Sequence, residues 1–420
     1  MAIISNEIKG FFKNSAVNVI GGAVASFLSF LFNFVVVKFI SKENYGEYVS
    51  AMAYVTLLTA PLSILSLIII KKISSQLAET RAKYLQRMNA GLWQLIKKNI
   101  YWLILMMPVL WWWLQSGAGF ESSWSPILVL AMIVLMSIVN WLTALIAGLQ
   151  MFTILSLASI AAMGIRFILG WAALSLNDTL IILYLMIIII TLGQILIYKM
   201  ALKNKIKIKL LGREKIKIEW WQYVKKDDLL IPLAATLVTT GLINLDMIVI
   251  KKVTEADFAG EYGVFSLFAK ILFYASLPLV NVAFTFFNSV KDRKERNKIF
   301  FISTGLIASL TILMVGLYAW WPEFLITGVS DKKYLSLAPV LFMAAIFGGL
   351  YSFIMLLVQF LIAKNNRLVF LGLLAPIIQA GLIYFYHQEM SQIMLINIGV
   401  ASALILIFMI GKLKNAQKTV

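Results

Sequence analysis

Runs of about twenty apolar residues, parted by short polar segments, recur from one end of the sequence to the other, and no other feature limits the possible folds so severely. A helix rises about 1.5 Å per residue, so roughly 20 residues cross the roughly 30 Å hydrocarbon core of a bilayer. The runs are apolar at consecutive positions, whereas a membrane β-strand alternates over about ten residues. The expected fold class is therefore an all-α membrane protein. Twelve spans are expected near 14–38, 48–70, 99–115, 126–148, 154–175, 179–198, 229–250, 264–289, 299–321, 337–362, 368–386 and 392–411. Composition agrees: 61% of the residues are hydrophobic and 13% charged, with a mean hydropathy of +0.90. The first run follows Lys9 and Lys13 but lacks the short apolar core and small-residue exit of a signal peptide, so it is expected to be retained. With no cysteine, the chain has no disulfide framework, thiolate metal site or cysteine nucleophile.

The basic residues set an orientation. With the N-terminus inside, most of the 37 Lys and Arg fall in the tails and in the segments 71–98, 199–228, 290–298 and 363–367. Only Lys38, Lys42, Lys251, Lys252, Lys332 and Lys333 fall outside. The positive-inside bias then puts both termini in the cytoplasm, as an even number of spans requires. The net charge of +18 needs no nucleic-acid partner. The basic stripe KNKIKIKLLGREKIKI (203–218) has no interleaved aromatics and lies between spans, where it would meet anionic headgroups.

That stripe also divides the chain, with an N-terminal six-helix bundle expected at 1–200, a basic linker at 201–228 and a C-terminal six-helix bundle at 229–420. The halves repeat weakly at an offset near 214. YGEY (45–48) answers to AGEY (259–262), Pro61 to Pro278, Pro126 to Pro339, and WWW (111–113) to WW (320–321). Six spans per half keep both halves in the same sense, so the repeats are parallel, and such repeats hold substrate near mid-membrane at their interface.

Enzymatic chemistry finds little support. His387 is the one histidine, outer loops are short, and neither a Walker-type loop nor a Gly-x-Gly-x-x-Gly motif occurs. No catalytic residue, metal site or bound cofactor is expected. Asp227-Asp228 stands just before the seventh span, where acids cap a helix start.

Charges inside spans are more informative, because each costs about 2.5 to 3.5 kcal/mol at a helix centre unless it finds water or a partner. There are three: Arg166 midway along span 5, Asp246 in LINLDMIVIKK (242–252), and Lys270 in FSLFAKILFY. Asp246 and Lys270 lie roughly 7–10 Å from the outer surface on adjacent spans, so an ion pair between them is expected. Lys251 and Lys252, five and six residues beyond Asp246, point largely to other faces and read as the outer end of the span. Two readings stay open. The charges could be structural, with Asp246 and Lys270 locking a hairpin and Arg166 bonding backbone carbonyls. Alternatively they line a wet cavity in which Arg166 and Lys270 hold an anionic group and Asp246 exchanges with a coupling ion. Asn33, Asn140, Asn244, Asn281, Gln359 and Gln379 could bond sugar hydroxyls there, or serve as packing glue. Pro61 and Pro278 are candidate hinges.

The stretches KNSAVNVIGGAVASFLSFLFNFVVVKFISKENYGEY (13–48), IPLAATLVTTGLINLDMIVIKKVTEADFAGEYGVFSLFAKI (231–271) and LVQFLIAKNNRLVFLGLL (357–374) resemble bacterial polysaccharide-repeat-unit flippases of the MOP exporter superfamily, the O-antigen (Wzx-like) type. The resemblance covers nearly the whole chain through diffuse motifs. It implies a MOP/MATE-like fold, two six-helix bundles forming a V around a central cavity. It also implies the function: turning an undecaprenyl-diphosphate-linked oligosaccharide from the inner to the outer leaflet of the cytoplasmic membrane, for O-antigen or other surface polysaccharide. A proton or sodium gradient rather than ATP would drive it. Arg166, Lys270, Asn33, Asn281 and Asn244 become candidates for the diphosphate and sugars, and Asp246 for ion coupling. The implied partners are the lipid-linked glycan, membrane lipids, and the polymerase and chain-length proteins of the pathway, with the chain itself a monomer. One departure is that spans 1 and 2 hold no arginine, whereas related lipid II flippases carry basic residues there. The alternatives are a cation-coupled multidrug exporter of the same superfamily, which expects an acidic cavity, and a membrane glycan polymerase or glycosyltransferase, which needs outer-loop acids.

Overall fold

The computed structural model describes residues 2–74, 96–117, 119–120, 122–175, 180–206, 226–290 and 292–417, with positions 85, 88, 89, 91 and 94 between them. Most of the basic stripe at 203–218 lies outside the described residues. Those described form helices and no strand. In order they are α1 (Ala2–Phe39), α2 (Lys42–Ser74), α3 (Ile100–Gly117), α4 (Trp124–Gly148), α5 (Phe152–Leu174), α6 (Leu180–Ile206), α7 (Lys226–Leu242), α8 (Leu245–Val253) and α9 (Ala256–Ser289). Then come α10 (Arg293–Trp320), α11 (Pro322–Val329), a 3₁₀ segment (Lys332–Val340), α12 (Leu341–Ala363), a second 3₁₀ segment (Arg367–Leu373), α13 (Leu374–Phe385) and α14 (Met390–Gln417).

Among the described residues, ten helical stretches are long and apolar enough to cross a bilayer. The two further expected spans, 48–70 and 99–115, fall in α2 and α3, and the apolar part of α3, Ile100–Ser116, is shorter than the others. Large apolar side chains stand exposed along the helices, Ile168 at 62%, Ile189 at 65% and Leu406 at 61%. Water would disfavour such a surface by about 25 cal/mol per Å², and acyl chains would not. The chain is a multi-pass membrane protein. Trp112 and Trp320, also exposed, stand near helix ends, where indoles anchor at headgroup depth.

The helices group into two units. One comprises Met1–Phe39 and Pro61–Lys225, the other Ile40–Ala60 and Lys226–Val420. The division differs from a purely sequential one, because the start of α2 packs with the second unit. Pro61, a candidate hinge, is the first residue of α2 that belongs to the first.

In the first unit, α1 packs along α5 through small residues. A Cβ on Gly21 would stand 2.3 Å from Ser156 Cβ, and one on Gly170 would stand 2.7 Å from the Phe32 ring. Ile69 and Ile73 of α2, Leu142 and Leu145 of α4, and Tyr198 and Leu202 of α6 form a further apolar core.

In the second unit, α9 and α12 approach so closely that a Cβ on Gly348 would meet the Ala269 carbonyl oxygen at 2.4 Å. Tyr318 of α10 packs edge-on against Phe268 and donates to its carbonyl at 3.2 Å. The two GEY motifs meet here. A Cβ on Gly46 would lie 2.8 Å from Gly260 N, and one on Gly260 would lie 2.1 Å from Lys42 O. The glycines of the two motifs thus face each other within the second unit. Around them Lys42 pairs with Glu261 at 2.7 Å, Ser336 donates to Glu261 at 2.8 Å, and Lys333 donates to Ile40 O at 2.5 Å.

Three span expectations are corrected. Span 7 is not continuous: it stops at Leu242 and resumes at Leu245. Spans 10 and 11 begin as 3₁₀ turns, over Lys332–Val340 and Arg367–Leu373, before becoming α-helical.

Candidate functional site

The break in span 7 is made by side chains rather than by proline. The Asn244 amide turns back to donate to Thr240 O at 2.8 Å, and the carbonyl of Leu242 accepts from Gln379 Nε2 of α13 at 3.1 Å. Gly241 admits Pro376 of α13, which a Cβ there would meet at 2.8 Å. A carbonyl freed from a helix inside a membrane needs such a substitute, because no water reaches it.

Asp246 sits in the first turn of α8, where a carboxylate suits the positive end of the helix dipole. It is fully buried. Its Oδ1 accepts from Met247 N at 2.7 Å, and its Oδ2 accepts from the Tyr262 hydroxyl of α9 in a very short hydrogen bond. The chain continues inward: Asn397 Nδ2 of α14 donates to the Tyr262 oxygen at 2.8 Å, and Gln379 Nε2 donates to Asn397 Oδ1 at 2.7 Å. Asp246, Tyr262, Asn397, Gln379 and the Leu242 carbonyl therefore form one buried polar network across α7, α8, α9, α13 and α14. Gln379 Oε1 is buried and has no hydrogen-bond partner among the described residues.

The expected ion pair between Asp246 and Lys270 does not form. The two are close enough to interact through space, but no salt bridge within 4 Å joins them. Tyr262 occupies the carboxylate instead, and Lys270, partly buried on α9, makes no direct contact with an acid. Of the two lysines read as the outer end of the span, Lys252 is exposed and Lys251 is buried at 6%.

In the first unit Arg166 is 8% exposed, and its guanidinium lies over the Phe32 ring at 5.8 Å. Phe32 reaches that position because Gly170, one turn further along α5, leaves room for its ring. Asn33 is half-buried on α1 and donates to Ser29 O of its own helix at 2.8 Å. Asn140 and Gln359 are half-buried, and the Asn140 carbonyl accepts from Ser66 at 3.3 Å. Asn281 and Pro278 are exposed on α9, and Pro61 is exposed on α2.

Residue by residue, the structure brings together Asn244, Asp246 and Gln379 in the second unit and leaves Asn33 and Arg166 in the first. Sequence reasoning missed Tyr262 and Asn397. Tyr262 was in view as the last residue of AGEY, but nothing in its spacing from Asp246 marks it as that carboxylate's donor. Among the described residues there is no cluster of three or more His, Cys, Asp or Glu that could hold a metal ion.

No family model and no curated protein matches the sequence. Solved structures do match. The chain aligns with an inward-facing multidrug resistance transporter of the MATE family of the MOP superfamily at a TM-score of 0.69 and 11% identity, covering 93% of this chain and 94% of that one. It aligns equally well, at 0.69 and 14% identity, with the lipid II flippase MurJ in an inward closed conformation, covering 94% and 87%. The eukaryotic MATE transporter AtDTX14 follows at 0.64 and 12%, covering 96% of each. At such identities the likeness establishes the fold, which is that of MOP-type transporters.

Proposed function

We propose that this membrane protein is an ion-coupled flippase for a lipid-linked oligosaccharide carried on a polyprenyl diphosphate, turning it from the inner to the outer leaflet of a bacterial cytoplasmic membrane for surface-polysaccharide assembly. The observation that carries this reading is Lys270. It is a cation within a span that makes no ion pair, although the one acid of its neighbourhood lies within electrostatic range. A positive charge in that position costs too much to be idle and suits an anionic headgroup. Arg166, whose guanidinium lies over Phe32, would serve as a second cationic contact. Asn33, Asn244 and Asn281 remain candidates for sugar hydroxyls, with Asn244 also tied to the helix break.

Asp246 is the candidate coupling group. A discontinuous span with a buried carboxylate at the start of its second half is the kind of place where transporters take up a proton or sodium ion. The Asp246 carboxylate and the unpartnered Gln379 Oε1 are acceptor oxygens that either ion could use. Pro61 and Pro278 would supply the bends. Both termini would be cytoplasmic, and the polymerase of the same pathway would receive the product.

A second reading has its own support. The chain aligns with a MATE multidrug transporter as closely as with a flippase. A multidrug exporter for cationic drugs would use Asp246 as its ligand for the drug.

Complementation separates the two. In cells lacking their own repeat-unit flippase, expression should restore surface glycan, and Lys270→Ala and Arg166→Ala should each reduce it with the protein still in the membrane. Full glycan export by the double variant would remove the cationic site. Export of a cationic dye without glycan rescue would favour the second reading.

A further inference from the structure

Helix α9 carries three kinds of surface, separated by azimuth. Successive residues of a helix turn by about 100°. By that measure the buried Phe268, Leu272, Ala283 and Phe287 lie along the arc that packs on α10 and α12, where Tyr318 meets Phe268 and Phe360 meets Phe287. Ala275, Val282 and Phe286 fall on an exposed apolar arc, with Val282 at 54% and Phe286 at 48%. Lys270, Tyr274, Asn281 and Asn288 fall within about 40° of one another, nearly opposite the packed arc. Tyr274, Asn281 and Asn288 are exposed, and Lys270 is partly so.

This polar stripe runs almost the length of a membrane crossing. From Lys270 to Asn288 it rises about 27 Å, close to the roughly 30 Å of a hydrocarbon core. Acyl chains offer an exposed amide no partner at such depth, so the stripe suits a water-filled space and the apolar arc suits lipid. The backbone adds to it at Tyr274. Pro278 has no N–H, so the Tyr274 carbonyl lacks the donor that a regular helix would supply. The Tyr274 ring itself rests against Phe273, 5.1 Å between centroids. Asn288 gives one amide hydrogen to Phe284 O at 2.8 Å. Toward the start of α9 the same arc is covered, since a Cβ on Gly263 would meet the Tyr45 ring at 3.1 Å and Val49 at 3.4 Å. The exposed stripe therefore begins at the Lys270 cation.

We propose, resting on the flippase reading, that this face of α9 is the track along which the glycan of the lipid-linked oligosaccharide lies, with Tyr274 as the stacking platform for the sugar ring next to the diphosphate. With a phosphate on Lys270, the next ring falls about one helical turn along, at Tyr274. The apolar face of that sugar lies on the phenol ring, whose face is electron-rich, and one of its hydroxyls donates to the Tyr274 carbonyl. Asn281 and Asn288, each about two turns further on, meet hydroxyls of later sugars.

Because the chain has no cysteine, single cysteines can be read one at a time. In proteoliposomes N-ethylmaleimide crosses the bilayer but reacts with thiolate, which forms in water. Tyr274→Cys, Asn281→Cys and Asn288→Cys should react at least about tenfold faster than Ala275→Cys, Val282→Cys and Phe286→Cys. Equal rates on the two arcs would overturn the track while leaving the flippase reading to its glycan-rescue test. Undecaprenyl-diphosphate-linked oligosaccharide should slow labelling of Asn281→Cys severalfold, and undecaprenyl diphosphate alone should not. Slowing by both alike, or by neither in a protein that restores surface glycan, would overturn the glycan's place on the track. Slowing by a cationic dye and not by the glycan lipid would overturn it together with the flippase reading. In the Asn281→Cys background, Tyr274→Ala should weaken the protection about fivefold, the weight of one aromatic contact, and Tyr274→Trp should keep it. Tyr274→Leu, which fills space without a ring, takes the place of Tyr274→Ala if that variant does not fold. Full protection without the ring would overturn the stacking role.

Discussion

The offset of about 214 residues expected from the sequence would bring Phe32 of the first unit into register with Asp246 of the second, and Arg166 close to Gln379. In the first unit, that register holds an unbroken helix, α1, with one guanidinium lying over a phenyl ring. In the second it holds a broken helix, a buried carboxylate and a relay of tyrosine and two amides. On the repeat expected from the sequence, one register carries opposite electrostatic roles in the two units. The lesson is that a repeat predicts where chemistry can sit without predicting its sign. In the proposed function the two roles are complementary: a cation for the substrate's phosphates and an acid for the driving ion.

The contrast can be broken or sharpened by substitution. The largest effect is expected at the centre of the relay. Asp246→Leu leaves the Tyr262 hydroxyl and the Met247 amide without their acceptor, and should cost about 3 kcal/mol in thermal unfolding of detergent-purified protein. Asp246→Asn keeps an acceptor oxygen and should retain most of that stability while transport falls. Equal transport by Asp246→Asn would make the carboxylate a strut. Tyr262→Phe comes next, at about 1 to 2 kcal/mol, since it strands both Asp246 Oδ2 and the Asn397 amide. Combined with Gln379→Leu it should be non-additive by about 0.5 kcal/mol or more, because both belong to one network. Additive losses would dissolve the relay into independent contacts.

The first unit should respond less. Phe32→Leu removes the ring beneath Arg166 and is expected to cost about 0.5 to 2 kcal/mol, read from the same melting curves. The smallest effect is expected back in the second unit, at Lys42→Gln. Its pair with Glu261 is partly exposed, with side chains 21% and 19% accessible, and such pairs contribute less than about 1 kcal/mol. A loss at Phe32 larger than at Asp246 would reverse the comparison.

Much of the fold was legible because membranes enforce it. Apolar run length gave the helices, and the two GEY motifs singled out in the sequence meet at their glycines. That Asp246 stands within a span was legible too, from a lone acid in an apolar run. Its partner was not. Depth along adjacent spans favoured Lys270, but depth says nothing about azimuth once a helix is interrupted, and the interruption at residues 243–244 carries no proline to announce it. It is made by Gln379 from more than a hundred residues away and by the Asn244 amide. Likewise Arg166 was found as a charge, while its seat on Phe32 depends on Gly170 leaving room for the ring. Long-range side-chain partners decide such sites, and a single sequence does not encode them as a pattern.

The most direct test of the central claim is translocation of undecaprenyl-diphosphate-linked oligosaccharide in proteoliposomes under an imposed proton or sodium gradient, comparing wild type with Lys270→Ala of equal thermal stability. Wild type should move the glycan lipid across the bilayer, and losing a cation that holds a phosphate should slow it by on the order of tenfold or more. Wild-type rates in Lys270→Ala, or no movement of the glycan lipid by wild type under either gradient, would contradict the account.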